Sequence, residues 1–257
     1  MEDLIDDEAE AAGVDPIRKA RDAFMLAVGQ AAGGAAFVIQ VGANDGRMAD
    51  PVYSIAKRND WRGLLIEPHP AYFAKLHKRY KRRDGFTLLQ IGISDAEGVL
   101  PLFHLDNARM EQFPRWVHGS ASVDAKRVVR QVKLACRKLG LVFDDSMVAQ
   151  TAVPMRRLDA VLAEQGITSA DVIVIDVEGH ELAVMAGADL RGLGLRGMLV
   201  ECNGRNEAQK PDYVAALNAV GLTVYELGDD LCAFDPARLD VDLAAEFDAA
   251  GLPRLGN

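Results

Sequence analysis

The chain holds 257 residues, 49% of them hydrophobic and 26% charged, which is enough to bury a core without disulfides or metal staples. Lys and Arg total 29 against 38 Asp and Glu, and the net charge of −9 argues against a general nucleic-acid or membrane-surface binder while leaving room for a locally basic pocket. Cys136, Cys202 and Cys232 share no metal or disulfide spacing, the acidic start Met1-Glu2-Asp3 lacks the character of a secretory signal, and no apolar run of about eighteen residues offers a membrane span, so a reduced cytoplasmic protein is expected.

Residues 1–15 read as a loosely held acidic lead. Residues 16–32 place Ile17, Ala20, Phe24, Ala27, Val28 and Ala31 at helical spacing behind Pro16, predicting a helix that covers a sheet, within an N-terminal helical extension over 1–35. Gly33-Gly34 ends it, and the β-branched, apolar run 36–41 predicts a central parallel strand. Strand patterns at 63–67, 86–93, 171–176 and 197–201 then alternate with helical ones at 72–82, 158–165, 181–190 and 212–220, as βαβ crossovers require. Two apolar runs around Gly228-Asp229-Asp230 predict an antiparallel hairpin, followed by a helix over 239–250. The expected architecture is a doubly wound α/β domain over 36–257. Residues 104–152 break the alternation with Pro114, Trp116, two histidines and a long cationic stretch, and are read as a helical cap inserted over the active site. Met48, Met110, Met147, Met155, Met185 and Met198 read as packing residues.

Chemistry concentrates at strand ends. Val41-Gly42-Ala43-Asn44-Asp45-Gly46 follows the first strand, where small residues allow a sharp turn and close approach of a ligand. It lacks GxGxxG and the GxxxxGK[ST] phosphate loop, which weakens a nicotinamide-dinucleotide reading. About twenty residues on, Glu67 ends the second strand, placed to accept hydrogen bonds from two ribose hydroxyls. Ser94 and Asp95 end the third, where polar groups can meet an adenine edge. One nucleotide-like ligand would touch all three strand ends.

With these motifs in order, and with Ile66-Glu67-Pro68, Ile93-Ser94-Asp95-Ala96-Glu97-Gly98, Arg157-Leu158-Asp159 and Val174-Ile175-Asp176-Val177-Glu178-Gly179-His180-Glu181 behind them, the sequence resembles the FkbM family of class I S-adenosylmethionine-dependent methyltransferases. The resemblance implies a Rossmann-like, mostly parallel seven-stranded sheet whose last strand is antiparallel. It also implies S-adenosylmethionine as cofactor, bound by Gly42, Asn44, Asp45, Gly46, Glu67, Ser94 and Asp95, and O-methylation of a sugar, glycan or related natural product. Gln40 stands where many members carry aspartate, so Asp45 or Asp50 is expected to supply the negative charge that a cationic cofactor needs.

A neutral hydroxyl is a poor nucleophile and requires a base or an acidifying metal. Asp176 or Glu178 is the expected base, with His180 as the runner-up; alternatively Asp176, Glu178 and Glu201 hold Mg2+, a hard cation suited to carboxylates. Against both stands a purely structural role for Asp176 and Glu178 at the start of the next helix, and for Glu181 in its first turn. His118, Ser120 and Ser122, with His104 and Trp116 nearby, are candidates to line the acceptor pocket. The basic run from Lys75 to Arg83 reads as a solvated helix end. That formed by Lys126, Arg127, Arg130, Lys133, Arg137 and Lys138 would either greet a phosphorylated or lipid-linked acceptor or solvate the cap. Methylation of RNA or an amine and a non-catalytic binding module are the competing functions; no nucleic-acid partner is expected, and a homodimer through the terminal helices stays open.

Overall fold

The computed structural model describes residues 15–47, 50–204 and 206–256; the acidic residues 1–14 of the expected extension, and Met48, lie outside them. The chain opens with α1 (Pro16–Ala31), whose Asp15 cap accepts from Ile17 N at 3.0 Å and whose Pro16 occupies the first turn. There follow β1 (Phe37–Val41), α2 (Tyr53–Arg58), β2 (Arg62–Ile66), α3 (Pro70–Tyr80), β3 (Phe86–Leu89), β4 (Gly92–Ser94), β5 (Gly98–Leu105), α4 (Arg115–His118) and α5 (Ala125–Leu139). The second half runs β6 (Val148–Arg157), α6 (Leu158–Glu164), β7 (Val172–Ile175), α7 (Glu181–Ala186), β8 (Gly197–Glu201), α8 (Lys210–Val220), β9 (Thr223–Leu227), β10 (Asp230–Phe234), α9 (Leu243–Ala249) and β11 (Arg254–Leu255).

The main sheet has the order β11-β9-β10-β8-β7-β1-β2-β3. Strands β3, β2, β1, β7 and β8 are parallel neighbours, while β10 runs antiparallel between β8 and β9, closing the predicted hairpin. The sheet has eight strands rather than the expected seven, because the last residues fold back as the two-residue edge strand β11 against β9.

Alternation along each strand divides the core. Ile39, Val41, Ile173, Ile175, Met198 and Val200 face α6, α7 and α8, whereas Val38, Val172, Val174, Leu199, Tyr225 and Phe234 face α1, α2 and α9. The apolar residues of α1 and α9 (Phe24, Met25, Leu243 and Phe247) are buried in this second layer, so the terminal helices cover their own sheet.

The expected strand over 86–93 is two strands. The chain leaves the main sheet after Leu89 and resumes as β4 in a separate sheet of order β4-β6-β5. Strands β5 and β6 pair antiparallel from Gly98↔Met155 to Leu105↔Val148 and carry the cap, so the expected limits of 104 and 152 fall inside its strand stem. Pro101 and Pro154 hid these strands, since proline removes a ladder donor. Both are tolerated here because β5 is an edge and β4 pairs with β6 only from Met155 onward.

Candidate active site

The strand order reverses between β1 and β7, and the site opens at their carboxyl ends, the crevice in which open α/β sheets bind ligands. Beyond the paired Val41↔Ile175, the chain turns at Gly42 with φ 86°; a Cβ there would lie 1.7 Å from the Asp176 carbonyl oxygen. Gly42→Ala is therefore expected to prevent the two strand ends from approaching, costing several kcal/mol or the fold itself, as thermal melting of the variant would report.

A cavity of about 630 Å³ occupies this crevice. Its floor is Gly42, Ala43, Asn44, Glu67, Asp176, Glu178, His180 and Glu201, and one wall is the second sheet, through Ile93, Leu102, Val153 and Met155. The cap contributes Arg115, Trp116, Gly119, Ala121 and Val123. No helix among the described residues is long and apolar enough to cross a membrane.

At one end, Glu67 accepts from Asn44 N and His69 N, each at 2.7 Å, one bond to each carboxylate oxygen. A carboxylate has about four acceptor sites, so two remain for hydroxyl donors. Burial pushes its pKa up to about 7 against the lowering effect of those two N–H groups. Asn44 holds φ 49°, a left-handed conformation that asparagine tolerates. Asp45, Gly46, Ser94 and Asp95 do not line the cavity. The Asp45 side chain accepts from Arg47 N at 2.9 Å and lies 3.8 Å from Arg79, and Gly46 packs on Leu76 and Tyr80 of α3. Ser94 donates to Asp95 at 3.0 Å, and Ile91, Gly92 and Ile93 line the cavity instead.

Beside Gly42, Gln40 donates to Asp50 Oδ1 at 3.2 Å, and Asp50 also caps α2 through Val52 N at 2.7 Å. Gln40 Oε1 and Asp50 Oδ2 are buried without a hydrogen-bond partner among the described residues, as is Nε of Arg21, which enters from α1 3.8 Å from Asp230. All four residues line the cavity. Burial raises the pKa of Asp50, and raises that of Asp230 to about 6. Two orphan acceptors and a guanidinium donor form a polar end suited to an ammonium and a carboxylate. Of the two aspartates expected to compensate for Gln40, Asp50 is at the cavity and Asp45 is not.

At the other end, one carboxylate oxygen from each of Asp176, Glu178 and Glu201 lies within 4.8 Å of the others. Arg127 from α5, itself only 7% exposed, neutralises two of them: Nε donates to Glu178 at 3.0 Å, Nη2 to Glu201 at 3.1 Å and Nη1 to Asn206 at 3.0 Å. With the Arg127 fork on Glu178 and Glu201, and Asn203 donating to the second oxygen of Glu201 at 2.8 Å, the donor set does not fit Mg2+ well; the guanidinium already supplies the charge. Asp176 makes no side-chain hydrogen bond among the described residues and opens onto the cavity. Enclosure by protein, then Glu178 and Asp230, raises its pKa; burial and Asp176 do the same to Glu201.

The loop carrying these groups is built by Glu181, which is fully buried. Its Oε1 accepts from Val177 N at 3.2 Å and Gly179 N at 2.8 Å, while Oε2 accepts from the Tyr213 hydroxyl at 2.8 Å. The expected first-turn role of Glu181 thus becomes that of a loop anchor. Glu178 is held at φ 55°, strained for a residue with a side chain, by Arg127 on its carboxylate and by Ser122, which donates to its carbonyl at 2.8 Å. His180 lies 2.9 Å from Ser94 Oγ; with Ser94 donating to Asp95, ring Nε2–H donates to the hydroxyl, and burial lowers the histidine pKa.

The three cap residues expected to line the acceptor pocket do not reach it. His118 Nε2 bonds to Met110 and Phe113 carbonyls, its own carbonyl accepts from the Tyr72 hydroxyl, and Ser120 donates to Trp116 O at 3.3 Å. Ser120 and Ser122 turn away, while the alternating Gly119, Ala121 and Val123 line the cavity. His104 is likewise buried, bonded to Leu105 O and to Thr151. The residues missed were Arg21, Tyr72, Arg115 and Arg127. Only Arg127 left a trace: a cation in a helix's first turn opposes the macrodipole, and such misplacement points to a partner elsewhere.

Comparison with known proteins adds a family. The model of the FkbM methyltransferase domain matches residues 40–230. The methyltransferase sdnD of Sordaria araneosa is 28% identical over 167 residues, 60% of each chain. The 2-O-methyltransferase NoeI of Sinorhizobium fredii is 29% identical over 150 residues, 58% of this chain and 56% of its own. This chain thus spans under two thirds of the length of these curated relatives. The crystal structure of methyltransferase FkbM from Methylobacillus flagellatus is similar over 79% of this chain and 44% of its own, with 13% identity and a TM-score of 0.49.

Proposed function

Since this chain belongs to the FkbM methyltransferase family, we propose that it is an S-adenosylmethionine-dependent O-methyltransferase acting on a hydroxyl of a sugar, glycan or related natural product. The observation that carries this reading is one cavity with Glu67 at one end, an Asp176 that makes no side-chain hydrogen bond among the described residues at the other, and the Gly42 turn between them. The printed name of one relative, a 2-O-methyltransferase, supports oxygen as the acceptor atom.

When bound, the cofactor supplies a methyl group on a sulfonium. Glu67 would accept from the ribose hydroxyls through its two remaining lone-pair sites. Gln40 and Asp50 would receive the ammonium, and Arg21 the carboxylate, each satisfying a polar atom that has no hydrogen-bond partner among the described residues. Asp176 would take the hydroxyl proton as the acceptor oxygen bonds to the methyl carbon and the carbon–sulfur bond breaks, its electron pair leaving with sulfur as a neutral thioether, and Arg127 would hold Glu178 and Glu201 so that the proton goes to Asp176. The apolar second-sheet wall and Trp116 exclude water and stack on the acceptor. A carboxylate floor disfavours a phosphodiester acceptor such as RNA.

Calorimetric titration with S-adenosylhomocysteine tests the cofactor site. Glu67→Ala removes two hydrogen bonds to a charged group and is expected to weaken binding by about 10- to 100-fold. Because the ligand requires ionised Glu67 and its pKa stands at about 7, affinity should fall as pH drops below that value. Failure of the unmodified protein to bind would reject the enzyme reading in favour of a recognition module. Turnover is expected to survive chelation with EDTA, since Arg127 already neutralises the carboxylates; a chelator-sensitive rate restored by magnesium would overturn that assignment.

A further inference from the structure

The outward face of α5 differs in chemistry from the cavity behind it. Lys126, Arg130, Lys133 and Arg137 follow at intervals of four, three and four, which places them on one helical face, and all are exposed, as is Lys138. Arg127 alone among the six basic residues of this helix turns inward. None of the five outward cations takes part in an ion pair among the described residues. The stripe borders a groove of about 590 Å³ with Val129, Cys136, Leu141 and Phe143 in its lining, where Lys133 Nζ lies 4.7 Å over the Phe143 ring. Where Gly140 ends the helix, Leu139, Leu141 and Val142 stand 45%, 40% and 86% exposed.

Cations unpaired along one face, with large apolar side chains uncovered at its end, call for a partner that is anionic and apolar together. A soluble phosphate would answer the charge and leave the leucines and valine in water. A single-stranded nucleic acid would stack on aromatic rings, and the one ring of this groove is covered by Lys133. A bilayer rich in anionic lipid offers headgroup charge above hydrocarbon, which matches a basic face with an apolar edge. The second basic run, from Lys75 to Arg83 at the end of α3, has no uncovered large apolar side chain within it, so the pairing of charge with an apolar edge orients the chain with α5 toward such a surface. We propose that the outer face of α5, with Leu139, Leu141 and Val142 at its end, docks the protein on an anionic lipid bilayer. This reading stands independently of the methyl-transfer chemistry; Lys138, 5.2 Å over the ring of cavity-lining Trp116, brings the stripe to the cap wall of the catalytic cavity.

The test is co-sedimentation of the full chain with phosphatidylcholine vesicles made with and without phosphatidylglycerol. Binding is expected only to the anionic vesicles and should decline as salt is raised. Lys126→Glu, Arg130→Glu and Lys133→Glu combined should reduce it at least about tenfold. Leu141→Ser with Val142→Ser should also reduce it, with the charge stripe intact. The salt series on the unmodified protein makes the outcome independent of whether a variant folds. Equal sedimentation with neutral and anionic vesicles, or none with either, would overturn the proposal. So would full binding by the serine variant together with competition by RNA, which would assign the stripe to a soluble polyanion.

Discussion

Asp176→Asn is expected to lower kcat by about 10²- to 10⁴-fold while binding of S-adenosylhomocysteine is retained, the range in which a positioned general base acts. Asparagine keeps the shape and removes the proton acceptor. Glu178 is tied to Arg127 at 3.0 Å, and burial lowers the pKa of His180, which makes its imidazole a weaker base than an ordinary histidine. The same change separates catalysis from a structural role through stability. The Asp176 pKa is raised in the folded protein, so between the ordinary carboxylate value and the raised one the native state binds more protons than the unfolded chain. Stability therefore falls as pH rises through that window, and an ionised Asp176 destabilises the fold. Asp176→Asn should melt at a higher temperature than the parent protein above neutral pH. A helix-start role predicts the opposite shift, and undiminished turnover in a folded Asp176→Asn variant would remove the base assignment. In the parent enzyme the rate should climb with pH as Asp176, whose pKa enclosure by the protein raises, loses its proton.

Arg127→Leu is expected to cost about 3 kcal/mol at alkaline pH, the low end of the range for breaking a buried ion pair, since its carboxylate partners border an open cavity. Two carboxylates lose their shared counter-ion, and Glu178, at φ 55°, loses one of the contacts that hold it in a conformation costing roughly 1–2 kcal/mol. The deficit should shrink as pH falls, because the uncompensated carboxylates take up protons in the native state. Arg127→Lys retains the charge but cannot reach Glu178, Glu201 and Asn206 together, so it should restore part of the stability and little of the turnover. Urea unfolding at acid and alkaline pH measures the first effect, and initial rates the second. Equal stability of Arg127→Leu and parent at both pH values would contradict the role given to the fork.

Much of the frame was legible because it rests on local pattern. The apolar run 36–41, the alternation of strands and helices and the Gly228 hairpin became β1, the doubly wound sheet and the β9–β10 pair. Glu67 and Asp176 were legible for the same reason, since a strand's end fixes where the next residue stands. The cap was less so. Its stem strands carry Pro101 and Pro154, tolerated only because of an edge position and a late-starting neighbour, and neither fact is visible in one strand's own sequence. Ser120 and Ser122 were expected at the cavity, yet Gly119, Ala121 and Val123 line it, because the backbone path decides which side of this segment faces inward.

The sequence by itself determined which residues end the central strands, and hence that a glycine turn, Glu67 and Asp176 share one crevice. Tertiary structure alone decided the electrostatics of that crevice. Arg127 comes from a helix 51 residues before Glu178 and 74 before Glu201, and Arg21 from the first helix; their partners are selected by packing across the fold. A charge acts through distance and burial, and neither is written in the spacing of residues along a chain.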